Sequence, residues 1–318
     1  EGRVVPPDLP RRADLPPPAR PALGPVGFAT VPIRDLELAA TLAATAEELG
    51  YSSIWVADEP GADGVEAAAA MLAATSTIGV GIGPIAPAPG RSGDLLGRLA
   101  AARLPPHRAA LALEGMDCPA WSAEERQSTF SSLRQQLGPE WTLGVVSLGE
   151  ATCRFAGEFA DLAFLDWMTP QRIAWARQHI ALGAAGRDQD RAPVRLVGRV
   201  SAVLGPGASL RLSEEALRYR AKPHYAASFA EMGSPHSGAA AGITPGIAAG
   251  AAAGIAAPGA EEAWAQAEAF SDLLDELVIH PVVKLPASAS PTLGEVFYAL
   301  SILLEVAHAF APTVTGDG

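Results

Sequence analysis

Residues 47–85 read EELGYSSIWVADEPGADGVEAAAAMLAATSTIGVGIGPI. A short apolar run, SIWVA at residues 53–57, is followed by an alanine-rich stretch at residues 65–75 and then by a second short run, IGVGI at residues 78–82. Short continuous apolar runs predict strands buried on both faces, and the longer stretch between them predicts a helix crossing over to a parallel neighbour. The same unit recurs on either side. Upstream lies VGFAT at residues 26–30, followed by a helix capped by Asp35, carrying Leu38, Leu42 and Leu49, and stopped at Gly50. Downstream lie AALAL at residues 109–113, TLGVVS at 142–147, DLAFL at 161–165, VRLVGRVSAVL at 194–204 and LVIHPV at 277–282. Ser122 and Glu125 form a capping box at the start of the helix after the fourth run. Eight strands in strict alternation with helices predict an α/β protein whose sheet closes into a (β/α)8 TIM barrel.

Length and composition agree with one such domain. The chain has 318 residues, of which 49% are hydrophobic, enough for a large core. Residues 1–24 are rich in Pro and Arg and predict an extended tail, leaving residues 25–318 as a single barrel domain. The low-complexity stretch at residues 238–260, GAAAGITPGIAAGAAAGIAAPGA, predicts a loop or an active-site lid, and a final helix is expected over residues 292–310. The net charge of −12, with 23 basic residues scattered along the chain, argues against a nucleic-acid partner. No apolar run is long enough to span a membrane, and nothing reads as a leader, although the chain begins at Glu1. Cys118 and Cys153 lack metal-site spacing and predict reduced thiols in a cytoplasmic protein, with no metal.

In a barrel of this kind the chemistry sits at the carboxyl ends of the strands. Those ends carry Asp58 and Glu59, Gly83 and Pro84, Glu114, residues 147–150, Asp166 and Trp167, and His280. Four carboxylates converging on one mouth would raise at least one pKa toward neutrality for acid–base work, while as isolated residues they would simply cap the following helices. His280 would transfer a proton or bond the rim backbone. Glycines at residues 79–83 would let a flat ring approach the backbone, and Gly149 ahead of a helix offers free N–H groups to a phosphate. No dinucleotide fingerprint, phosphate loop or serine elbow is present in the sequence.

Residues 47–85, together with SLGEATCRFAGEFADLAFLDWMTPQRIAWARQHIALG at 147–183 and DELVIHPV at 275–282, resemble the luciferase-like monooxygenase family. The PGAD and TPQRIAWAR segments are most similar to its actinobacterial oxidoreductases that use the deazaflavin coenzyme F420, with FMN as the alternative cofactor. The resemblance implies a ring beside a backbone bulge at Gly83, Pro84 and Ile85, phosphate contacts at Gly149, Glu150 and Ala151, and a ring neighbour at Leu165 or Asp166. Asp58 also belongs to the implied cofactor site. Two departures stand out. Members often follow the Asp of strand two with His, whereas here Asp58 precedes Glu59, and Glu114 stands where a small residue is usual. Glu59, Glu114 and His280 are therefore the expected catalytic residues.

Two classes follow. The first is a flavin-type oxidoreductase moving hydride between a deazaflavin and a small organic substrate, with an FMN monooxygenase as its variant. The second is a cofactor-free barrel serving as a binding or assembly module. The resemblance also implies a homodimer formed through exposed apolar helix faces. Light scattering at micromolar concentration is expected to give twice the 32.6 kDa chain mass, and a monomer alone would remove this expectation.

Overall fold

The computed structural model of the chain describes residues 23–86, 92–114, 121–188, 190–232, 252–283 and 307–310. The proline-rich residues 1–22, Cys118, most of the Gly/Ala-rich stretch and most of the expected final helix lie outside the described residues.

The chain alternates β1 (Val26–Thr30), α1 (Leu36–Glu48), β2 (Ser53–Val56), α2 (Gly64–Ala73), β3 (Gly79–Ile85), α3 (Ser92–Ala102), β4 (Ala109–Leu113) and α4 (Ala123–Leu137). It continues with β5 (Thr142–Val146), α5 (Glu150–Phe159), β6 (Leu162–Asp166), α6 (Pro170–Ala184) and β7 (Arg195–Leu204). Two helices follow, α7 (Ala208–Arg220) and α8 (Pro223–Met232), then β8 (Gly254–Ala257), α9 (Ala260–Ser271), β9 (Glu276–Pro281) and α10 (Ala307–Phe310). Local signals set several boundaries. Asp35 accepts from the N–H groups of Glu37 and Leu38, Ser122 and Glu125 bond reciprocally, and Gly50 leaves α1 with φ of 83°.

Every strand pairing is parallel, and β1 to β7 join in sequence before β9 closes the ring between β7 and β1. The result is a closed eight-stranded barrel surrounded by helices, as the alternation predicts. β8 lies outside that ring. It pairs with Ser201–Leu204 on the edge of β7 opposite β9, beyond the last pair with β6 at Arg199. The ten-residue β7 outruns β6, so its remaining edge groups need a partner, and Gly254–Ala257, from the stretch expected to be a loop, supply one.

Alternation along each strand decides what fills the lumen. Trp55 on β2 and Phe164 on β6 meet there with ring centroids 4.7 Å apart. Gly81 makes room for them, because a Cβ at that position would lie 2.2 Å from the Trp55 ring. The amino-terminal end is closed by Glu276, which is buried and accepts from the hydroxyls of Ser52 (2.7 Å) and Ser53 (2.6 Å) and from Arg195 (2.9 Å). On the outside, α5 and α6 cross closely at Gly157 and Gly183, where a Cβ on Gly157 would meet the Ile180 carbonyl at 2.1 Å. Among the described residues no helix is long and apolar enough to cross a membrane.

A single carboxylate ties the end of α1 to the start of β3. Glu47 accepts from the N–H groups of Ser76 (3.0 Å), Thr77 and Ile78 (2.9 Å) and from the Thr77 hydroxyl (2.7 Å). Partial burial would raise its pKa, but the hydroxyl and N–H donors outweigh that and hold it at about 2. The folded pKa is depressed, so the stabilisation is present above the unfolded value near 4.5 and is lost as pH falls toward 2. Because the group is largely solvated, the contribution is put at about 1 kcal/mol. Glu47→Gln is expected to lower the urea midpoint at pH 7, with the difference from wild type shrinking below pH 4.5 in parallel denaturation series.

Candidate active site

At the carboxyl end of the barrel the strand register brings a buried polar cluster together. Asp166 ends β6 directly opposite Arg199 on β7, and Ser201 on β7 lies opposite His280 on β9. Arg199 grips Asp166 with both arms of its guanidinium, Nε to Oδ1 at 3.0 Å and the second nitrogen to Oδ2. Both residues are almost fully enclosed, at 6% and 1% exposure. Tyr225, from α8, donates its hydroxyl to the same Asp166 oxygen, and Arg199 donates to the Tyr219 hydroxyl of α7 at 3.1 Å. Burial, reinforced by the Asp166 charge, pushes the Tyr225 phenol well above its ordinary pKa, so it remains a donor.

His280 lies 3.4 Å through Nδ1 from the Ser201 hydroxyl. Burial, and next the Arg199 charge, push its pKa down to about 3, so the ring is neutral at physiological pH. Trp167 follows Asp166 in the left-handed region, φ 51°, and is buried against Tyr219 and Phe229. Such a conformation is costly for a bulky side chain and persists only where packing enforces it. Glu114, one residue beyond β4, is partly exposed, donates its N–H to the Ile85 carbonyl at 2.8 Å, and adds its charge to the field raising Tyr225.

The expected site residues divide into groups. Glu114, Asp166 and His280 belong to this cluster. Asp58 and Glu59 sit elsewhere on the rim. Asp58 accepts from the Gly64 N–H (2.9 Å) at the start of α2 and pairs with Arg98, which also binds Asp63. Glu59 is exposed in a turn closed by backbone bonds to Ala62. Both line an open cleft of about 680 Å³ above β1–β3, whose walls include Arg34, Ile85 and Arg98 but not Glu114. Gly83 packs against Ala112, the Gly83–Pro84 peptide is cis, and the β3–β4 register shifts between Ile82 and Ile85. Leu165 is buried on the opposite face of β6 from Phe164 and Asp166, so of that pair it is Asp166 that faces the mouth.

Gly149 caps α5, with nothing within 4 Å of the place its Cβ would take. Glu150 and Ala151, both exposed, begin the helix, and the Glu150 carboxylate is paired with Arg154 at 2.9 Å. Arg172, stacked 3.4 Å from the Trp175 ring, donates to the Leu148 carbonyl nearby. Sequence reasoning missed Arg199, Tyr219 and Tyr225. An arginine inside the apolar run of β7 was the one available signal, and the tyrosines had none.

A family model described as luciferase-like monooxygenase matches residues 18–92. An F420-dependent secondary alcohol dehydrogenase, solved with an F420–acetone adduct, is 16% identical, covering 89% of this chain and 99% of its own at a TM-score of 0.57. The coenzyme F420-dependent tetrahydromethanopterin reductase of Methanopyrus kandleri is 14% identical over 91% of this chain and 100% of its own, TM-score 0.59. A riboflavin lyase, RcaE, solved with modified FMN and riboflavin, is 16% identical over 91% and 93%, TM-score 0.53. The fold is that of the luciferase-like monooxygenases. No curated protein matches the chain in sequence.

The buried histidine of this luciferase-like barrel makes the mouth pH-sensitive. The native state refuses a proton down to about pH 3, whereas the unfolded chain accepts one near 6.5. The associated stability is therefore fully present above 6.5 and is lost as pH falls toward 3, at up to about 1.4 kcal/mol per pH unit. Urea denaturation from pH 7 to pH 5 is expected to show a shallower loss for His280→Gln than for wild type, and equal slopes would contradict this assignment.

Proposed function

We propose that this chain is an oxidoreductase that binds coenzyme F420 at the carboxyl mouth of its barrel and exchanges hydride with a small organic substrate. The observation that carries the reading is the cluster of Asp166, Arg199, Tyr225 and His280 enclosed at that mouth, with Glu114 partly open beside it. Enclosing an ion pair brings little net stability over apolar packing, so its location where barrel enzymes do chemistry favours a functional role. The two neighbours described as F420-dependent, one of them solved with an F420–acetone adduct, share this fold.

The residues present fit such a cofactor. The open space at Gly149 and the first N–H groups of α5 suit an anionic tail, and partly exposed Pro84 and Glu114 border the mouth where a flat ring would lie. When bound, the deazaflavin supplies two-electron hydride chemistry. The chain supplies the rest. The Glu114 carboxyl holds or releases the substrate proton, neutral His280 offers a hydrogen bond without charge, and the Asp166–Arg199 pair, to which the Tyr225 hydroxyl donates, keeps this end of the barrel in place. Glu59, exposed on the adjacent cleft, is the second acid–base candidate. FMN is the alternative cofactor, supported by the fold shared with a protein solved with modified FMN.

Anaerobic titration of the purified protein with F420 and with FMN tests the cofactor. Saturable F420 binding is expected, and failure to bind either would favour the cofactor-free module. With a substrate in hand, Glu114→Gln is expected to lower turnover by about 10²- to 10⁴-fold while leaving cofactor affinity unchanged. Wild-type turnover by both Glu59→Gln and Glu114→Gln would remove the catalytic assignment.

A further inference from the structure

The carboxyl mouth holds a pair of side chains whose roles the redox reading leaves open. Phe164 meets Trp55 inside the lumen, so alternation turns Asp166 to the same side, and the strand register brings Arg199 beside it. Ser201 follows Arg199 by two residues and shares its face of β7, opposite His280 on β9. Both are enclosed, Ser201 at 2% and His280 at 7% exposure. The Ser201 hydroxyl lies 3.4 Å from His280 Nδ1, and among the described residues neither that hydroxyl nor either ring nitrogen has another hydrogen-bond partner.

A neutral imidazole carries one proton, and its other nitrogen accepts. The two possible forms differ in what they leave unmatched. With the proton on Nδ1, the ring donates to Ser201 Oγ, and both the hydroxyl hydrogen and the Nε2 lone pair are left without partners. With the proton on Nε2, the hydroxyl donates to Nδ1, and only the Nε2–H is left over. Buried donors and acceptors are costly to leave unmade, so the second form is favoured. Arg199 acts in the same direction. Its charge reaches His280 from the face of β7 that carries Ser201, and a lone pair suits that side better than an N–H.

We propose that Ser201 is a positioning residue that fixes His280 as the Nε2–H tautomer, giving the mouth an uncharged N–H donor for an acceptor atom of the substrate. His280 then binds and polarises that atom, and proton exchange is left to Glu114. The substrate role rests on the oxidoreductase reading, and it calls for a substrate with a hydrogen-bond acceptor, such as a carbonyl oxygen, at the reacting centre. The tautomer itself does not rest on that reading.

Two-bond ¹H–¹⁵N correlation spectra of protein labelled at its six histidines test the tautomer without cofactor or substrate. The His280 signals, identified by their loss in His280→Gln, are expected to show a protonated Nε2 and an unprotonated Nδ1 at pH 7. Ser201→Ala is expected to shift the Nδ1 signal and admit the Nδ1–H form, whereas Ser201→Thr, which keeps the hydroxyl, preserves the wild-type pattern. A protonated Nδ1 in the wild type, or an unchanged pattern in Ser201→Ala, would overturn the proposal. The wild-type spectrum decides the first point even where Ser201→Ala does not fold. Because these spectra need no F420, a failed cofactor titration and a wrong tautomer are read separately. With a substrate in hand, Ser201→Ala is expected to lower kcat/KM about tenfold, the size of one neutral hydrogen bond, with recovery in Ser201→Thr. An unchanged kcat/KM would remove the substrate role.

Discussion

The rest of the molecule depends on closure of the parallel ring between β1 and β9. Val26 pairs with Leu277 and Phe28 with Ile279, and the Leu277 N–H reaches the Pro25 carbonyl at 3.0 Å. Once the ring closes, the only edge it leaves among the described residues is the end of β7 that β8 covers, and every second residue must point into a lumen that holds few side chains. That constraint explains why Gly81 stands opposite Trp55, and why polar groups appear only toward the two ends. It also fixes the carboxyl mouth, because Asp166 and Arg199 meet only through the β6–β7 register.

The two ends of the lumen handle buried charge differently. At the amino end Glu276 is satisfied by two hydroxyls and an arginine that reaches solvent, which closes the barrel. At the carboxyl end Asp166 and Arg199 are both enclosed, with Tyr225 and Tyr219 completing their bonds. Removing one member of such a pair typically costs about 3–5 kcal/mol, because the other is left buried and uncompensated. The cluster is therefore rigid, and it holds the Tyr225 hydroxyl and neutral His280 in place beside Glu114. A mouth held rigid in this way suits chemistry that depends on fixed positions of the reacting groups.

Electrostatics divides the surface as well. The acidic chain gathers arginines at two rim positions, Arg98 over α2 and the Arg134–Arg187–Arg191 group below the barrel. At the first, two carboxylates answer one guanidinium, and the result is a brace between α2 and α3. At the second, three guanidinium groups share the Asp161 carboxylate and donate to the backbone carbonyls around them, so both groups brace neighbouring elements.

The order of strands and helices was legible from the amino acids because buried parallel strands leave short apolar runs, and because Asp35, Gly50, Ser122 and Glu125 act on backbone groups within a few residues of themselves. The carboxyl-end position of Glu114, Asp166 and His280 was legible for the same reason, since strand ends are local features. β8 was not, because a run of Gly and Ala carries no periodic signal and becomes a strand only where β7 outruns β6. Nor could the sequence separate Asp58 and Glu59 from the buried cluster, or recruit Arg199, Tyr219 and Tyr225 to it. Those partners are up to 59 residues apart, and barrel register and helix packing, not neighbouring residues, bring them within hydrogen-bond reach.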